Sequence, residues 1–276
     1  MANPIIGSPD AFTKHNQSQP GYGQSQPGYG QPQPGYGQPQ GFDPYQQQAP
    51  QPTAAVMTLD DVLAKTAITL GVVAAAAVVA FMFVPLALIT PALIASGIVG
   101  LITVFLVASR PRIPVGGVLF YAVVEGLFIG VFSKFFEYLY PGIVVSAVLA
   151  TFVTAGVTLF AYKFFNIRVT ERFRKIVFIA TASLAGVLLV NFVLAIFGID
   201  TGMRSAGGSP GLLAIGISIV AVILAVLNLV TDFDSVERGI AMRAPANESW
   251  RAAFGITVTM VWLYTEILRI MSYFRN

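Results

Sequence analysis

Long uncharged apolar runs decide what this chain can fold into. The charged residues cluster, and each run between clusters is close to the ~20 residues a helix needs to cross the hydrocarbon core of a bilayer. Inside lipid, every backbone N–H and C=O must find a partner within its own segment or in a closed barrel, so runs of this length mean helices. Composition agrees: 55% of the 276 residues are hydrophobic and 11% are charged, against roughly 25% charged in a soluble domain. The expected partner of such a surface is the lipid bilayer.

Several function classes fall away. The net charge of +3 is better read as loop cations of a membrane protein than as a nucleic-acid surface, since basic residues concentrate in cytoplasmic loops. There is no Cys, so disulfides and thiolate metal sites are excluded. The only His is His15, which excludes His-ligated haem, a His-based zinc site and Ser-His catalysis in the apolar part. No GxSxG, HExxH or P-loop pattern occurs there, and the last helix lacks the Lys of a retinal protein, so no enzymatic activity is expected.

The N-terminal 57 residues read differently. Gln17-Ser18-Gln19-Pro20-Gly21-Tyr22-Gly23 recurs from Gln24 and again from Gln31, then decays through Gly41-Phe42. Such Pro, Gly and Gln density predicts a disordered, weakly self-associating tail. The period of seven carries no aliphatic seam and is no coiled coil. Order is expected from Thr58, an N-cap ahead of Asp60 and Asp61. The division is therefore a tail over 1–57 and a transmembrane unit over 58–276.

Seven helices are expected within that unit. The first runs from about Asp61 to Val84, stopped by Pro85, and the second from Leu88 to Ala108. The third opens at Pro114-Val115 and reaches Phe136. The fourth covers Ile143 to Tyr162, after the Pro141-Gly142 turn, and the fifth Phe173 to Phe197. The sixth begins at Gly211 and enters the 230s, with Gly239 as a possible terminating glycine. The seventh lies between Ser249 and Tyr273. Twelve of the sixteen basic residues fall on the side of the N-terminus, whereas Lys134, Arg204, Arg269 and Arg275 fall opposite. The positive-inside rule then makes the N-terminus cytoplasmic and the C-terminus external, unless the last helix dips in and returns.

Ionisable groups inside spanning helices are costly, so each is a site candidate. Glu125 lies ten residues past Val115, or ~15 Å into the membrane at the helical rise. It reads either as helix glue bonded to a Ser or Thr, or as part of an ion path. The glycines beside it, Gly126 and Gly130, allow close approach of a neighbouring helix. Asp234 has a partner one turn on in Arg238, while Asp232 has no such local cation. Asp232 ends a small or polar stripe through Ser218, Ala221, Ala225 and Asn228 on one helix face. Glu266 shares a face with Thr259, Trp262, Arg269 and Tyr273, and Arg269 offers a local salt bridge. If the sixth helix continues to Gly239 and the membrane part of the seventh starts near Gly255, Asp232 and Glu266 differ in depth by ~6 Å, which tilt absorbs.

These stretches resemble the transmembrane Bax inhibitor motif (Bax inhibitor/YccA) family. The resemblance rests on Arg110 to Tyr121 leading into Glu125-Gly126, on Leu229-Val230-Thr231-Asp232 followed by Val236, and on Leu263-Tyr264-Thr265-Glu266-Ile267-Leu268. The low-complexity tail resembles a bacterial, actinobacterial branch, which implies an inner-membrane location. The resemblance implies a seven-helix bundle with helix 7 central. It also implies an acidic pair, Asp232 and Glu266, that senses pH and gates a cation leak, notably of calcium. The latch on that pair would be Arg110 or Arg112. Glu stands where the family usually has Asp in helix 7, and the link between helices 6 and 7 is longer than in small members. Two carboxylates supply at most four of the six to eight oxygens calcium prefers, so Asp232 and Glu266 would bind it weakly and transiently, with no resident cofactor. Two close carboxylates do not ionise independently, so the pair is expected to titrate as a unit. The alternative is a non-conducting modulator that binds another membrane protein, such as a quality-control protease.

Overall fold

The computed structural model describes residues 55–165, 167–204 and 210–275; the repeats of the N-terminal tail lie outside them. Among the described residues the chain forms α1 (Leu59–Phe83), α2 (Ile89–Ala108), α3 (Val115–Leu139), α4 (Ile143–Phe164), α5 (Glu171–Ile196), α6 (Leu212–Ala241) and α7 (Glu248–Tyr273). A short 3-10 turn, Leu86–Leu88, leads into α2. All seven are long and apolar enough to cross a membrane. The protein is therefore a multi-pass helical membrane protein.

Local chemistry sets the ends. Thr58 Oγ1 accepts from the Asp61 backbone N–H at 3.2 Å, with Asp60 and Asp61 in the first turn where the helix dipole favours them. Thr170 caps α5 in the same way through Phe173 N–H, so that helix starts at Glu171, two residues before the expected Phe173. Pro85 and Pro114 stand at the expected breaks. Gly142, at a φ of 81°, supplies the left-handed turn between α3 and α4.

One expectation is corrected. Gly239 does not end α6, which runs to Ala241. The left-handed residue is Arg243, and the turn closes by Ala244 N–H donating to the Gly239 carbonyl. Helix α7 is one uninterrupted helix with no return, so Arg275 ends beside Gly142, at the far end of the bundle from Ala55.

The ordered unit also begins earlier than Thr58. Val56 forms an antiparallel bridge with Pro245, Met57 N–H donates to Ala244 O at 2.7 Å, and Ala246 N–H donates to Ala55 O at 2.8 Å. The Met57 side chain is buried in the core with Val62, Val236 and Phe254.

Packing is organised around α7. Its first half (Ala252, Phe254, Ile256, Met260) joins a core at the N-terminal end, and its second half (Val261, Leu263, Tyr264, Ile267, Leu268) joins a second core beyond it. Helices α1 and α3 meet closely, as the glycines predict. A Cβ on Gly126 would fall 2.5 Å from the Val73 carbonyl, and one on Gly130 would run into the Ala77 carbonyl. In lipid this close approach stabilises by van der Waals contact, since burial from water supplies little between helices already in hydrocarbon.

Candidate functional site at the α6–α7 seam

The polar residues collect along the seam between α6 and α7, at two levels. At the first level Asp232 is 1% exposed, and its Oδ2 accepts from the Thr259 hydroxyl of α7 at 2.6 Å. One turn away, Asn228 Nδ2 donates to Thr181 Oγ1 of α5 at 2.8 Å and to the Leu224 carbonyl. Asn228 Oδ1 and, further along the same face, Ser218 Oγ are buried with no protein partner. The stripe read from sequence, Ser218 to Asp232, is buried throughout.

At the second level Glu266 is gripped by Arg204 from the α5–α6 connection. Two parallel bonds, of 2.7 Å from Nη1 and 2.6 Å from Nη2, engage both carboxylate oxygens. This fork-on-carboxylate geometry is the strong form of ion pair. Arg269, the expected partner, instead lies over the rings of Phe132 and Phe136, 5.4 and 6.0 Å from their centroids.

These levels do not merge. Thr259 marks the depth of Asp232 on α7, and Glu266 lies seven residues on, two turns or ~10 Å along the axis. The expected close pair of carboxylates is thus not formed. The α6 register on α7 matches Asp232 to Thr259, and Glu266 is drawn off by Arg204. Nor can both carboxylates ligate one calcium, whose oxygens lie at ~2.3–2.6 Å. Among the described residues no group of three or more His, Asp or Glu converges as a metal site.

The remaining predicted residues lie around the seam. Asp234 bonds its expected partner Arg238 and also Arg174 of α5, the latter at 2.6 Å. Arg238 reaches on to Glu171 at 3.3 Å. Glu125 sits on α3 facing α2, its Oε2 3.1 Å from where a Gly100 Cβ would stand, with the Tyr121 hydroxyl beside it. It is therefore away from the α6–α7 seam. The turn carrying Arg110 and Arg112 is pinned by Arg251 of α7, whose Nη2 donates to the Arg110 and Pro111 carbonyls at 3.3 and 2.7 Å and whose Nε bonds Glu248. The next residue, Ile113, packs on the core cluster that holds Leu229 and Val236, which flank Asp232 on α6.

Seven membrane-length helices with a buried acidic residue on each of the last two agree with the family-model match, which describes Bax inhibitor 1 like proteins and covers residues 3–276. The chain belongs to this family. None of the proteins with curated descriptions matches it. Within the family frame, sequence reasoning missed Arg204, Arg174 and the pairing of Tyr162 with Glu237, a 2.6 Å hydrogen bond from α4 to α6. For Arg204 a signal existed: it is the cation of the Gly-rich connection that opens at the same membrane face as the Glu266 end of α7.

Proposed function

We propose that the chain is a pH-sensitive cation leak along the α6–α7 seam, with calcium as the expected ion, the N-terminus cytoplasmic and the C-terminus outside. The observation that carries this reading is Asp232: a carboxylate buried to 1% exposure on a bilayer-length helix, against the most polar and most buried helix of the bundle. An intramembrane carboxylate facing the bundle interior is expensive and marks ion or proton pathways. The excess of basic residues at the N-terminal end supports the orientation.

In this reading the two carboxylates act as separate restraints in series. Arg112 is the latch on Asp232, favoured over Arg110 because Ile113 anchors its turn to the core beside Leu229 and Val236. Weak binding at single carboxylates suits passage better than storage.

The test is calcium flux into liposomes holding the full chain, measured across pH. Asp232→Asn and Glu266→Gln should each flatten the flux–pH curve, and the double variant should flatten it further because the sites are separate. Arg112→Gln should raise flux at least several-fold. Glu125→Gln, away from the seam, should lower stability and leave the midpoint of the curve in place. If both single carboxylate variants keep the normal pH response, the seam is not the sensor. A folded protein that passes no calcium at any pH would overturn the leak in favour of docking on another membrane protein.

A further inference from the structure

We propose that Arg204 is a stopper: the α5–α6 connection lays its guanidinium across Glu266 and closes the α6–α7 seam at the end away from Ala55. This deepens the seam reading above and rests on it. Glu266 has a side-chain exposure of 3% and Arg204 16%, so the guanidinium stands between the carboxylate and the outside. Both carboxylate oxygens are used.

Depth ties this bond to the small-residue face of α6. Ser218 is six residues inside the start of α6 at Leu212, and Glu266 seven inside the end of α7 at Tyr273. Each is therefore ~10 Å in from the same membrane face. From Ser218 the face continues through Ala221, Ala225 and Asn228 to Asp232, all buried. Ser218 Oγ and Asn228 Oδ1 are buried oxygens without a protein partner, and a buried polar atom ordinarily has one. They are the oxygens that a hydrated path would use, and Arg204 stands at its outer end.

Charge and backbone say how the stopper works. Arg204 and Arg269 place two positive charges around the single negative charge of Glu266, so an approaching cation meets a net positive end until Arg204 leaves. The connection can let it leave. Gly198 and Gly202 flank the preceding turn with φ of 78° and 68° and stand in open space. Rotation there moves Arg204 relative to α5. A bond that merely braced α7 would, when broken, lower stability and leave the seam dry.

The absence of native Cys makes the test direct. Ser218→Cys, a near-isosteric change, is the sole thiol in the full-length chain. Its modification by a small, membrane-impermeant methanethiosulfonate is timed in proteoliposomes with reagent on both faces. With Arg204 intact the reaction should be slow. In Arg204→Gln and Glu266→Gln it should run at least tenfold faster, and exchanging the pair (Arg204→Glu with Glu266→Arg) should restore protection. Arg204→Lys, which keeps the charge and loses the fork, should fall between, and it decides the matter if the Gln variants do not fold. Equal labelling rates with and without Arg204 would overturn the stopper, whatever the flux. Faster labelling in a protein that passes no calcium would leave the stopper standing and remove the leak.

Discussion

Helices α5 and α7 are both 26 residues long and occupy opposite places in the bundle. The mean hydropathy of α5 is 2.4 and only 11% of its apolar window is buried; for α7 the figures are 1.3 and 67%. In water the more hydrophobic helix would be the inner one. Here lipid is the solvent, so an apolar helix loses nothing by facing out. The helix carrying Glu266, Arg269 and three threonines must be enclosed by others. Polarity therefore marks the axis of this protein.

Four single substitutions press on that contrast. The largest effect should come from Glu266→Ala, which leaves the Arg204 guanidinium without its carboxylate partner. Breaking a buried pair from one side costs about 3 kcal/mol, read as a fall in the unfolding free energy in a detergent–denaturant titration. An unchanged transition would mean that Arg204 simply swings into water. Next, Leu263→Ala on α7 should cost about 2 kcal/mol through lost contacts and a residual cavity. Val190→Ala, on the exposed face of α5, should stay within about 0.5 kcal/mol. Equal losses at the two sites would erase the contrast. An intermediate effect concerns the polar tether that joins α5 to α6: Asn228→Ala should cost about 1 kcal/mol, the net worth of a hydrogen bond. Combining it with Thr181→Val should add little, and fully additive losses would show that the two side chains act separately.

The helices were legible because length and hydropathy are properties of one segment at a time. Pro85, Pro114 and Gly142 punctuate the chain where the sequence puts them, and the Asp234–Arg238 pair is legible because its partners lie one turn apart. The seam was legible only as a set of candidates. Which residue of α7 faces Asp232 depends on the register of two helices, and no local pattern favours Thr259 over Glu266. The partner of Glu266 was misread for a related reason. Arg269 is nearest in sequence, but the turn after α5 delivers Arg204 with both donors aligned, while Arg269 rests on two phenyl faces. Met57 was placed on the tail side because order was expected to begin at the Thr58 N-cap, yet it is a core residue.

The pairing of Ala55–Met57 with Ala244–Ala246 also orders events in time. The first described residues bond to the link between α6 and α7. A ribosome delivers α1 to the membrane long before it delivers that link. The close α1–α3 packing can form early, from neighbours in synthesis, whereas the bridge at Val56 and Pro245 must wait until all of α6 has been made. Contacts of such separation are the slow ones in folding. Through synthesis of the intervening helices Met57 lacks the α6 and α7 residues of its native pocket, and the polar face of α7 is the last of the seven to be made.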